Sequence, residues 1–145
     1  MPAPRTKGWT LECDGGARGN PGPAAVAYLL LDPDRQVIES RAESIGTATN
    51  NIAEYRALIA GLEAAAGRKA APLTVRMDSE LVVRQMTGEY KVKHEGLKPL
   101  HAAARAAAAR IAGLTFEAVP REQNARADRL VNDTLDRILG SESPR

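Results

Sequence analysis

A chain of 145 residues with 43% hydrophobic and 26% charged residues has the size and composition of one globular domain, which excludes a disordered or fibrous protein. A formal charge of +2 does not mark a polyanion binder by itself, and 3% aromatics argue against a platform that stacks bases. The one cysteine, Cys13, rules out an intrachain disulfide, suits a buried strand position and fits a reducing compartment.

The start of the chain carries no apolar leader, and the longest apolar run, Ala24 to Leu31, is a strand's length rather than a membrane span. The expectation is a cytoplasmic protein of one domain over 1–145, with flexible tails at 1–7 and 141–145. Trp9 to Asp14 alternates Trp9, Leu11 and Cys13 with polar residues, as a strand does. Gly15 to Pro23 has turn composition. Ala24–Leu31 and Gln36–Ile45 complete an antiparallel meander around the turn Asp32-Pro33-Asp34.

Asn51 to Ala66 is expected as a helix, with Ile52, Tyr55, Ile59, Leu62 and Ala66 on one stripe and Asn50 or Asn51 as its cap. Leu73–Asp78 predicts a fourth strand, Ser79 to about Met86 a short helix, and Leu97–Ala112 an alanine-rich helix. Leu114–Val119 predicts the fifth strand, and Asn124 a cap for a last helix with Leu130 or Val131, Leu135 and Ile138 inward. The order is βββαβααβα. In such sheets ligands sit beyond the carboxyl ends of the strands.

That edge gathers four acids. Asp14 and Asp78 close predicted strands, whereas Glu54 and Asp128 open predicted helices. Each also has a local reading. Asp14-Gly15-Gly16 has hairpin chemistry, Asn51-x-x-Glu54 has capping-box spacing, Asp78 is placed to cap the next helix, and Asp128 is a first-turn acid. None of these explains why all four meet at one edge. Clustered carboxylates without a Cys or His ligand pattern suit Mg²⁺ or Mn²⁺, hence phosphoryl chemistry on a nucleic acid, and the glycines would let a sugar-phosphate backbone approach. From Arg84 to Arg110 six cations face only Glu89 and Glu95, a local +4. Lys91, Lys93 and Lys98 are the candidates there for backbone-phosphate contact.

Asp-Gly-Gly-Ala-Arg-Gly-Asn-Pro-Gly-Pro (14–23), Thr-Asn-Asn-Ile-Ala-Glu-Tyr (49–55), Met-Asp-Ser-Glu (77–80) and Asn-Ala-Arg-Ala-Asp (124–128) resemble, in order and context, the signature segments of type 1 ribonuclease H, from about Trp9 to Ile138. The resemblance implies an α/β ribonuclease H-like fold: a five-stranded mixed sheet, antiparallel through strands 1–3 and parallel for strands 1, 4 and 5, flanked by helices. It implies an endonuclease that cuts the RNA strand of an RNA–DNA hybrid, leaving 5′-phosphate and 3′-hydroxyl ends, and acting as a monomer with two Mg²⁺ or Mn²⁺ ions. By that match Asp14 would bridge the ions, Glu54 and Asp78 would complete one, and Asp128 the other. Asn20, Thr49, Asn50 and Asn51 match positions that contact the hybrid. Gly15 and Gly16 would give backbone contacts beside the scissile phosphate, and Ser79, next to Asp78, joins the substrate-binding set.

The chain departs from the family pattern twice. Thr87 to Gly96 is too short for the extra basic helix of many bacterial members, and the loop Pro120-Arg121-Glu122-Gln123 lacks their histidine. Both departures resemble the compact, archaeal-like form. Arg121 takes the loop's catalytic place, with Glu122 as rival. The alternatives are a catalytically silent hybrid-binding module and another nuclease of the same superfamily.

Overall fold

Strands β1 (Trp9–Ala17), β2 (Gly22–Leu31) and β3 (Val37–Ala48) form the expected meander in the computed structural model, which describes residues 8–140. The expected tails at 1–7 and 141–145 lie outside the described residues. Helix α1 (Asn50–Gly67) leads to β4 (Leu73–Met77), α2 (Glu80–Met86) and α3 (Lys98–Ala108), then β5 (Leu114–Ala118) and α4 (Ala125–Gly140). The sheet order is β3-β2-β1-β4-β5, with β1 antiparallel to β2 and parallel to β4, and β4 parallel to β5.

Alternation in the strands separates two cores. Leu11 and Cys13 of β1 and Leu73, Val75 and Met77 of β4 point to one face, where they pack with Tyr55, Leu58 and Leu62 of α1. Burying each such leucine contributes about 1.5–3 kcal/mol. The other face carries α4, whose Val131 and Leu135 meet Ala25 and Ala27 of β2. These alanines leave room for the helix to lie against the strands. No helix among the described residues is long and apolar enough to cross a membrane.

Several boundaries differ from expectation. Asp14 does not close its strand, because Gly15, Gly16 and Ala17 continue it opposite Val26, Ala25 and Ala24. The pairing of β1 with β4, however, stops at Glu12 and Arg76. Asp14 and Asp78 each lie two residues beyond that last pair. The alanine-rich segment forms a 3₁₀ turn at Glu95–Leu97 and a shorter helix, which Pro99 helps to start. Between α2 and α3 only that turn is helical, in keeping with the compact form.

The expected caps also move. Thr49, with extended backbone (φ −81°, ψ 164°), caps α1 by accepting from Ile52 N at 3.2 Å, so neither Asn50 nor Asn51 does. Ser79, not Asp78, caps α2, its Oγ accepting from Val82 N at 3.3 Å. Asn124 ends a 3₁₀ turn (Arg121–Asn124) and donates through Nδ2 to Cys13 O at 3.0 Å, a role other than helix capping. Its Oδ1 is buried without a partner.

Candidate active site

Asp14, Glu54 and Asp78 each bring a carboxylate oxygen into one group whose members lie within 4.8 Å of one another. β1 supplies the first, the second turn of α1 the second, and the residue after β4 the third. Asp128, in the first turn of α4, lies outside that tight group but lines the same cavity of about 400 Å³, with Asp14, Glu54, Asn50, Arg18 and Arg121.

Glu54 is placed by long-range geometry. Its Oε1 accepts from Gly15 N at 3.0 Å, which turns the carboxylate toward β1 and excludes the capping-box role. Gly15 itself is required by packing: a Cβ there would sit 2.2 Å from Ala53 O. The glycine is therefore needed to admit α1, and its N–H is taken by Glu54. Gly16 is different, since a Cβ would meet only Val131 Cγ1 at 3.5 Å. Asn50 Oδ1 accepts from Ala17 N at 2.8 Å, and Asn20 Oδ1 accepts from Asn50 N at 2.9 Å. Their amide oxygens tie the end of β1 and the β1–β2 loop to the start of α1.

The electrostatics are those of uncompensated charge. Burial, then Asp78 and Asp128, push Asp14 up to about 8 from 3.8, while Arg121 opposes them. Glu54 is also pushed well up, by burial and then by Asp14 and Asp78, against the Gly15 N–H and Arg121. An all-oxygen donor set in this state fits a hard divalent cation. A consequence can be measured without any substrate. Between pH 4 and 8 the folded metal-free protein holds a proton on Asp14 that the unfolded chain has lost, so stability falls as pH rises through that window. We expect the metal-free melting temperature to fall from pH 5 to pH 8 and the increment from saturating Mn²⁺ to grow, because the ion needs ionised carboxylates. An increment independent of pH would contradict this account.

The loop before α4 places Arg121 Nε 3.6 Å from Asp78 Oδ2. Glu122 lines a separate cavity with Glu12, Arg76 and Arg126, whereas Arg121 lines the one that holds Asp14 and Glu54. The basic stretch is less free than its composition suggests. Arg84 is bound by Glu80 and Glu89, and Lys98 pairs with Glu95 at 2.6 Å. Lys91 and Lys98 share a groove with Tyr90, His101 and Arg105, while Lys93 is exposed outside that wall. Asn20, Thr49, Asn51 and Ser79 are outside the cavity lining. Arg18 and Asn132 line the cavity and escaped the sequence reading, because their contacts span more than a hundred residues.

Residues 12–134 match the reverse transcriptase-like family. The bifunctional protein Rv2228c of Mycobacterium tuberculosis is 48% identical over 127 residues, 87% of this chain. The chain spans only 35% of that relative's length. The structure of the N-terminal RNase H domain of Rv2228c superposes with a TM-score of 0.89 at 45% identity, covering 95% of this chain and 100% of that one. RNase H1 from Halobacterium salinarum gives 0.85 at 41% identity, covering 88% and 97%.

The chain belongs to the type 1 ribonuclease H family. Another ribonuclease H1, LC11, isolated from compost by a metagenomic approach, has been solved with an RNA/DNA hybrid. It matches with a TM-score of 0.84 at 45% identity, over 90% of this chain and 99% of that one. The compact ribonuclease H form fits the short link between α2 and α3.

Proposed function

We propose that the protein is an endonuclease that hydrolyses the RNA strand of RNA–DNA hybrids, using two Mg²⁺ or Mn²⁺ ions and leaving 5′-phosphate and 3′-hydroxyl ends. The observation that carries this reading is the convergence of Asp14, Glu54 and Asp78 within 4.8 Å, with Asp128 in the same cavity. A module that only bound the hybrid would gain nothing from negative charge facing phosphates. We assign these four residues to hold the ions. The chemistry that divalent ions supply at such a site is activation of the attacking water and charge relief at the leaving 3′-oxygen.

The chain's own groups orient the reactants. The Gly15 N–H holds Glu54 in place. The NH₂ group of Asn50, in the cavity wall, offers a donor to the hybrid beside the carboxylates, Asn20 offers one from the β1–β2 loop, and contact with the 2′-hydroxyl distinguishes RNA from DNA. The planar guanidinium of Arg121 grips the scissile phosphate or the product by two hydrogen bonds.

The test is cleavage of labelled hybrid, single-stranded RNA and double-stranded DNA, with and without Mg²⁺ or Mn²⁺. Metal-dependent cutting of the hybrid's RNA strand alone is expected. Cutting of double-stranded DNA would point to another nuclease of the superfamily, and binding without cutting to a silent module. Arg121→Ala should lower kcat by about tenfold, the scale of one charge-assisted contact, while Glu122→Gln stays near wild type. Equal losses in both would return the role to the loop as a whole. Changing Lys91, Lys93 and Lys98 together to alanine should raise KM and flatten the log–log salt dependence of binding by about one unit for each lost phosphate contact. An unchanged slope would leave the lysines as solvated surface.

A further inference from the structure

Two cations line the carboxylate cavity, Arg18 and Arg121. Arg121 faces Asp78, whereas Arg18 reaches to the opposite partner, α4. The backbone of Arg18 is held firmly. Its N–H donates to Pro23 O at 2.8 Å, and a Cβ on Gly22 would lie 2.0 Å from Arg18 O, so the loop closes tightly beneath it. The flanking Ala17 and Asn20 are both bonded to Asn50 at the start of α1.

The side chain is differently held. Arg18 Nη2 donates to Asn132 Oδ1 at 3.2 Å and to Asp136 Oδ1 at 2.9 Å. Asp128, Asn132 and Asp136 follow at four-residue steps, so they form one row on α4. Asn132 also donates through Nδ2 to Asp128 O. Arg18 therefore crosses from the β1–β2 loop to the helix that carries Asp128. The side chains of Arg18 and Asp136 are 38% and 66% exposed. An ion pair that open to water is weak, whereas a guanidinium on a phosphate forms two charge-assisted hydrogen bonds.

We propose that Arg18 grips a phosphate of the RNA strand flanking the one to be cut, leaving Asp136 as the hybrid seats. This rests on the ribonuclease H reading. In the free protein Asp136 and Asn132 hold the guanidinium extended beside the cavity, which lowers the ordering cost at binding. The cavity places its cation beside the carboxylates that repel the same strand. Arg18 thus supplies attraction close to the reacting linkage, where the α2–α3 lysines do not.

The experiment scans hybrids carrying one neutral methylphosphonate linkage, moved along either strand. Binding is read by fluorescence anisotropy in an Asp14→Asn background, with and without Arg18→Ala, and melting temperatures are recorded. With Arg18 present, one RNA linkage flanking the cut site should weaken binding about tenfold when neutral. Arg18→Ala should weaken binding of the all-phosphate hybrid similarly and abolish sensitivity at that linkage alone. Asp136→Asn should tighten binding with Arg18 present and do less without it. Unchanged affinity in Arg18→Ala, an unaltered linkage profile, or lost sensitivity on the DNA strand instead would each overturn the assignment. Wild-type cleavage of the same all-phosphate hybrid is the control. If wild type leaves it uncut, the ribonuclease H reading fails; if wild type cuts it and the scan is unaltered by Arg18→Ala, only the Arg18 assignment fails.

Discussion

Asparagine at position 14 is expected to abolish hybrid cleavage, by at least about a thousandfold in kcat, while hybrid binding is kept or tightened. Asp14 is 5% exposed and sits between Asp78 and Asp128, both of which push its carboxyl upward. Asparagine keeps the shape and one acceptor oxygen but cannot contribute negative charge to hold a divalent cation. It also removes a group that repels the phosphates whenever it is ionised, so anisotropy should show no loss of affinity. The same substitution should raise the melting temperature of the metal-free protein most at pH 8 and by less at pH 5, since the loss it removes grows as pH rises between those values. Near-normal turnover in this variant would sink the assignment of the carboxylates to metal.

Glutamine at position 54 separates two readings that the sequence leaves open. A cap at the start of α1 predicts a loss of about 1 kcal/mol with activity retained. The structure gives the cap to Thr49 and aims Glu54 at Gly15 N. Glutamine retains an acceptor for that N–H and loses the charge. We therefore expect unchanged or higher thermal stability and a kcat reduced by at least about a hundredfold, the order of several kcal/mol of lost charge stabilisation. Melting curves and saturating-substrate rates on one preparation decide between them. A less stable but active Glu54→Gln protein would restore the capping role.

Much of this site was legible because its signals are local. Alternation of Leu73, Val75 and Met77 predicts a strand, and the acid that follows it must then lie at the strand's carboxyl end. The four acidic segments are short enough to be recognised in order, and the parallel arrangement of strands 1, 4 and 5 follows from the family they resemble. The sequence by itself thereby determined the fold class and the family, and it singled out four acidic residues, three of which the fold draws into one group while the fourth lines the adjoining cavity.

Tertiary structure decided what each neighbour of those carboxylates does. Thr49, Asn50 and Asn51 are all chemically able to cap a helix, and the extended backbone at Thr49 selects it. Gly15 and Gly16 are identical as letters; the approach of Ala53, thirty-eight residues on from Gly15, makes one a packing requirement and leaves the other open. Turn composition from Gly15 was overridden because Gly15 to Ala17 gain strand hydrogen bonds opposite β2. Asp128, which the resemblance sets apart from Glu54 and Asp78, stands outside the tight trio and in the cavity wall because the first turn of α4 carries it there. Arg18 joins that wall only because its partner Asp136 is brought across from 118 residues away. Periodicity and capping chemistry act over a few residues and can be read along the chain. Contacts made by closing the sheet and docking its helices depend on long-range packing, and no local spacing encodes them.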